Sequence, residues 1–233
     1  MVQSETVFVS HDPADCLACD IRSRSLFADL NEFELERNAK YIVDLAFKTD
    51  ETLYTEGDSV NGVLKLRSGM VKIVRTAVCG RTRIVRVLGP GDVVGLEALD
   101  SASYGSTAIA LTDVSICRIS LKVIHRLAKT SGGVGLPILQ QMQRALRNAD
   151  DWLVDLNFGS ARQRVCNLVL KMRRFTNPDL TILLSREDMG SILDLKHETV
   201  SREISRLVHD GAIERLNKSG RLYRIIDLRL LGC

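Results

Sequence analysis

The stretch Arg186-Glu187-Asp188-Met189-Gly190-Ser191-Ile192-Leu193-Asp194-Leu195-Lys196-His197-Glu198-Thr199-Val200-Ser201-Arg202 reads as two short helices joined by a tight turn. Ser185 can cap a first helix through Ile192, Leu193 to Lys196 make the turn, and a second helix runs from about His197 to His209. In that second helix Glu198, Ser201, Arg202 and Ser205 fall at i, i+3, i+4 and i+7, hence on one face, while Val200, Ile204 and Leu207 share the opposite one. A helix that enters a DNA major groove needs this division, with short or bidentate polar side chains outward and apolar ones behind. Arg202 can donate two hydrogen bonds to guanine, Glu198 can accept from the cytosine amino group, and Ser201 can touch a base edge or a thymine methyl. The same spacing equally describes a surface helix with a Glu198–Arg202 pair, worth only about 0.2–0.5 kcal/mol.

Downstream, past Gly211, the apolar runs Ala212-Ile213 and Leu222 to Ile226 flank Asn217-Lys218-Ser219-Gly220, a hairpin signal that adds a wing. Upstream, Thr181-Ile182-Leu183-Leu184 is a brief strand candidate, and Asn177-Pro178 ends a helix holding Val165, Leu168, Val169 and Met172. Gly159-Ser160 supplies a hinge and an N-cap for that helix. Earlier still, Leu139, Met142, Leu146, Ala149, Leu153 and Leu156 recur at alternating spacings of three and four, a heptad seam suited to pairing with another long helix or to packing on its own domain. From Leu45 to Ile119 short alternating runs such as Met70-Val71-Lys72-Ile73-Val74 are punctuated by glycines, the pattern of an antiparallel barrel or sandwich. Asn31 and Glu34 form a capping box for a short helix from about Glu32 to Val43.

With 233 residues and 45% hydrophobic side chains, the chain can bury two modest cores. Residues 160–233 carry 14 basic against 9 acidic side chains and residues 1–159 carry 18 against 20, so the basic end is the one suited to phosphate. The polar, acidic start lacks the features of a signal peptide, and no apolar run approaches membrane-spanning length, so the expectation is a cytoplasmic protein with no membrane partner. No nucleophile–base pair stands at motif spacing and no phosphate-cradling loop is present, so an enzyme is not expected.

Taken in order, Arg186-x-Asp188-Met189-Gly190-x-Ile192-Leu193 and Glu198-Thr199-Val200-Ser201-Arg202, with Ser68-Gly69-Met70-Val71-Lys72, Gly89-Pro90-Gly91-Asp92-Val93-Val94-Gly95 and a dimer-helix-like stretch at residues 134–157, resemble the CRP/FNR superfamily, in its FNR-like branch. The resemblance covers about Leu26 to Ile226 and implies an α+β chain with four parts. These are an N-terminal cysteine-containing segment (1–25), an antiparallel β-roll or cupin-like barrel (26–132), a dimerisation helix (133–158) and a winged helix-turn-helix (159–233). It implies a homodimeric transcription regulator that binds palindromic double-stranded DNA with TTGAT-like half-sites about 34 Å apart and works with RNA polymerase. Glu198, Ser201 and Arg202 would read bases; Lys196, His197, Thr199, Arg206, Lys218 and Arg221 are the expected backbone contacts. Asp194 departs from the glycine usual at the turn, and aspartate tolerates the left-handed conformation needed there.

Cyclic-nucleotide binders of the superfamily carry an arginine for the cyclic phosphate; the matching region here, Gly95 to Leu99 and Tyr104-Gly105-Ser106-Thr107, lacks it, so no cyclic nucleotide is expected. The FNR branch holds a [4Fe-4S] cluster by four cysteines, and this chain matches with Cys16, Cys19 and Cys117, one short near Ser25. Asp20, a serine oxygen, Cys79 or an external molecule could stand fourth. A zinc site with His11, a Cys16–Cys19 thiol switch, haem ligation and a plain packed thiol at Cys117 are the competing readings. A second class of function also fits, a small-molecule- or haem-binding protein whose helix-turn-helix makes protein contacts only.

Overall fold

The computed structural model describes residues 9–10, 18–19, 30–39, 41–130, 135–175, 178–216 and 221–232. Element order is β1 (Val9–Ser10), α1 (Glu32–Ala39), β2 (Ile42–Phe47), β3 (Thr52–Tyr54), β4 (Val63–Ser68), β5 (Val71–Thr76), β6 (Thr82–Leu88), β7 (Val93–Val94), β8 (Thr107–Ala110) and β9 (Val114–Ile119). There follow α2 (Leu121–Thr130), α3 (Gly135–Asn157), α4 (Ala161–Met172), β10 (Leu180–Ile182), α5 (Arg186–Leu193), α6 (His197–His209), β11 (Ile213–Arg215) and β12 (Leu222–Ile225). Contacts divide the chain into two compact units, Met1–Thr76 with Val87–Arg147, and Ala77–Arg86 with Asn148–Cys233.

The first unit is built on antiparallel sheets in the orders β1-β2-β9-β4-β7 and β3-β8-β5, while most of β6 falls in the second unit. Alternation puts Val71 and Ile73 of β5 inside with Lys72 half-buried between them. Strand β9 is the spine, paired from Ile42↔Ile119 to Phe47↔Val114 on one side and from Val63↔Ile119 to Leu66↔Ile116 on the other. Gly69 closes the turn between β4 and β5 at φ +82°, and a Cβ there would lie 2.2 Å from the Asp113 carbonyl oxygen, so only glycine fits.

Asn31 caps α1 as expected: its side chain accepts from the Glu34 backbone at 2.9 Å and its own N–H donates to the Glu34 carboxylate at 3.1 Å. The helix is shorter than expected, ending at Ala39, because Ile42 and Val43 are claimed by pairing with Ile119 and Arg118 of β9. Likewise the strand expected at Thr181–Leu184 is Leu180–Ile182, set by its register with Leu222–Arg224.

In the second unit Val165, Leu168, Val169, Met172, Leu183, Met189, Leu193, Val200 and Leu207 are all at most 1% exposed and form one core. The β11–β12 hairpin of the wing is present, in a sheet ordered β10-β12-β11, while its turn residues 217–220 lie outside the described residues. Helix α3 runs 23 residues, and Leu136, Leu139, Met142, Leu146 and Leu153 are 51–64% exposed along it. Leu156, expected on the same seam, is instead buried in its own chain at 1% exposure, as is Trp152 one turn before it at 6%. Among the described residues no helix is long and apolar enough to cross a membrane.

Candidate nucleic-acid interface

Local signals fix the two helices of the turn independently of what they touch. Ser185 accepts from the Asp188 backbone at 3.0 Å and so starts α5, and Asp194 ends it in the left-handed region at φ +52° and ψ +48°. The turn is tight because Gly190 has no side chain: a Cβ there would meet the Leu195 carbonyl oxygen at 2.6 Å. That contact closes on a hydrogen bond from Leu195 N–H to the Gly190 carbonyl at 3.1 Å. From α4, Arg164 donates to the Leu193 carbonyl at 2.7 Å, placing a cation at the C-terminal end of α5. Helix α4 itself opens with a reciprocal Ser160–Gln163 capping box.

Helix α6 starts at His197 after Lys196, which is extended and provides no side-chain cap. Its first turn therefore takes no capping hydrogen bond from the Lys196 side chain. Val200, Ile204 and Leu207 are buried, Glu198, Arg202 and Ser205 are exposed, and Ser201 is half-buried between the two sets. The base-reading candidates thus share one accessible face. Of the backbone candidates, Lys196, His197, Arg206 and Arg221 are exposed and Thr199 is half-buried, whereas Lys218 lies outside the described residues. Glu198 pairs with His197 at 3.6 Å, and the i, i+4 partner weighed for Arg202 is displaced by its neighbour: Arg202 Nε lies 3.7 Å from Glu203 Oε1.

Glu203 was not singled out from the sequence, although the signal was there. It occupies the i+3 position of the stripe whose other members are Val200, Ile204 and Leu207, and it is 4% exposed. Its Oε1 also accepts from Arg206 Nη1 at 2.9 Å, while Oε2 is buried without a partner among the described residues. An unmatched buried oxygen of this kind costs about 1–3 kcal/mol, more when charged. At the far end of the helix Arg162 of α4 pairs with Asp210 at 2.7 Å, and that hydrogen bond pushes the Arg162 guanidinium above its ordinary range.

The sensor candidates fall only in part within the described residues. Cys117 is half-buried on β9, its Sγ 3.3 Å from Asp44 Oδ1 on the adjacent strand, with Arg67 paired to the same carboxylate at 3.2 Å. Cys19 is half-buried, Cys79 exposed and Cys166 buried. Cys16, His11, Asp20 and Ser25 lie outside the described residues. Among the described residues no three or more histidine, cysteine, aspartate or glutamate side chains are grouped to hold a metal. In the region matching a cyclic-phosphate site, the Glu97 carboxylate accepts from the Ser106 hydroxyl at 3.2 Å, and Tyr54 stacks on Tyr104 with centroids 3.8 Å apart.

Residues 45–131 match the cyclic nucleotide-binding domain family and residues 163–232 the Crp-like helix-turn-helix domain family. The transcriptional activator protein FnrL of Cereibacter sphaeroides is 28% identical over 208 residues, covering 85% of this chain and 83% of that protein. The anaerobic regulatory protein of Haemophilus influenzae is 26% identical, covering 91% and 84%. The solved structure of FixK2 from Bradyrhizobium japonicum superposes with a TM-score of 0.73 at 27% identity, over 82% of this chain and 95% of that one.

Proposed function

Because this chain belongs to the CRP/FNR superfamily of transcription regulators, we propose that it acts as a homodimer on palindromic double-stranded DNA, with α6 in the major groove and TTGAT-like half-sites. The observation that carries this reading is the division of α6, with Glu198, Ser201 and Arg202 reachable over a row of fully buried apolar side chains. Lys196, His197, Thr199, Arg206, Lys218 and Arg221 contact the phosphates around it, and RNA polymerase is the protein partner at the promoter. Dimerisation runs through the exposed strip Leu139, Met142, Leu146 and Leu153, with Ala149 between them; Leu156 is left out. The test is DNA binding by the full chain and by Arg202→Ala. Specific affinity should fall about 10- to 100-fold, the worth of one bidentate base contact of roughly 1–3 kcal/mol. Unchanged affinity of Arg202→Ala would remove α6 from base reading.

Control is by redox state rather than by a cyclic nucleotide. Support for the second half is chemical: the matching region has no arginine for a cyclic phosphate, and its serine, Ser106, donates to the Glu97 carboxylate instead. Support for the first half is the anaerobic regulatory role named for the Haemophilus influenzae relative, together with the thiols Cys16, Cys19 and Cys117. A cluster on Cys16, Cys19 and Cys117 needs one further ligand, for which Asp20, a serine oxygen, Cys79 and an external molecule are the candidates. The redox change is therefore placed on the thiols themselves or on iron completed by one of these donors. Protein purified anaerobically should lose or gain specific DNA affinity on exposure to air, with thiol titration and iron and sulfide assays telling the two apart. Affinity indifferent to air would dismiss redox control.

A further inference from the structure

Glu203 sits where packing asks for an apolar side chain, between Val200, Ile204 and Leu207 on the inward stripe of α6, and its side chain is only 5% exposed. One of its oxygens finds no partner there, so the acid is a poor choice for the core alone. The other oxygen is shared. It lies 2.9 Å from Arg206 Nη1 and 3.7 Å from Arg202 Nε, and those two arginine side chains are 57% and 61% exposed. A buried anion thus hydrogen-bonds one outward cation from behind and lies within ion-pair distance of a second. We propose that Glu203 is a positioning residue for base reading: its carboxylate holds Arg202 by the Nε edge and Arg206 by Nη1, so that both guanidinium groups meet DNA already aimed. The assignment rests on the reading of α6 as the recognition helix.

The chemistry favours this edge of Arg202. Guanine is recognised by two parallel donors reaching its O6 and N7. With Nε turned toward the helix, Nη1 and Nη2 remain as an outward fork in the plane of the group. A free arginine must freeze several torsions to present that fork, whereas a tethered one has given up much of that freedom before DNA arrives. The tether to Arg206 does the same for a phosphate contact one turn along. Glu203 reaches DNA through neither atom of its own.

The experiment uses the full chain. Wild-type protein first selects its preferred duplex from a random pool, and binding is then measured on that duplex and on versions altered at each base pair. Glu203→Gln keeps the shape and removes the charge, and Glu203→Leu restores an apolar stripe; Arg202→Ala is the reference. Both Glu203 variants should melt at or above the wild-type temperature, bind the selected duplex about tenfold more weakly, and lose discrimination at the base pair where Arg202→Ala loses it. Affinity and discrimination within twofold of wild type in both variants, while Arg202→Ala still loses both, would overturn the proposal. A loss spread evenly over every base pair, together with a lowered melting temperature, would overturn it too and leave Glu203 a folding residue. If wild-type protein selects no sequence, or Arg202→Ala selects the same one, the recognition-helix reading falls first.

Discussion

Glu198 has a side chain 69% exposed, so substituting it takes almost nothing from the core and, on the proposed reading of α6, bears on base preference alone. Glu198→Ala should alter the preference at a single base pair, by about tenfold, with an unchanged melting temperature. Tyr104 is the opposite case, a residue whose polar tip serves the fold. Its hydroxyl donates to the Gly62 carbonyl at 2.9 Å, and burial pushes the phenol above its ordinary range. A raised pKa means a contribution that is whole below the ordinary tyrosine range and is lost as pH rises through the folded-state value. Tyr104→Phe should therefore cost about 0.5–1.5 kcal/mol at neutral pH, and the alkaline fall in stability measured by urea titration should flatten in the variant. An identical alkaline profile in both proteins would show that Tyr104 stays out of the titration.

The geometry of the α5–α6 element depends on the absence of one methyl group. Gly190→Ala would press a Cβ against the Leu195 carbonyl, a backbone atom that cannot swing aside, so the turn must open. Overpacking of this sort costs about 1–3 kcal/mol, and specific DNA binding should fall further than stability does, since α6 moves as a body. This element was also the most legible in the sequence. Ser185, Asp194 and the span His197–His209 stand where the pattern put them, because caps and a period of 3.6 are local properties. Non-local pairing hid the rest. Ile42 and Val43 suit a helix as well as a strand until β9 lies beside them, and Leu156 belongs to the heptad by spacing yet is buried in its own chain. Glu203 escaped because a charge in an apolar stripe ordinarily marks the stripe's edge.

At the scale of the whole molecule, two copies of α6 read one palindrome only if the chain pairs, and the exposed leucines of α3 are where pairing is placed. Leu146→Asp puts a charge on a strip whose neighbours Met142 and Leu153 are themselves 51% and 61% exposed, so the monomer loses no core and should stay folded. Sedimentation should show it monomeric, with affinity for a full palindrome reduced to that for a single half-site; a stable dimer would move the interface elsewhere. Because each phosphate contact releases counterions, Lys196→Ala should make the slope of log affinity against log salt shallower by about one for each protomer. The Gly190–Leu195 contact bears on how such a protein changes over generations. What spaces the two helices is a backbone contact, and the side chains proposed to read the bases take no part in it. Glu198, Ser201 and Ser205 can thus drift to new target sequences while the scaffold stands still, and a binding site in one promoter can be exchanged for another by two or three substitutions. Arg202 is tied to that scaffold through Glu203, so it should be the slowest of the set to change and the two should change together.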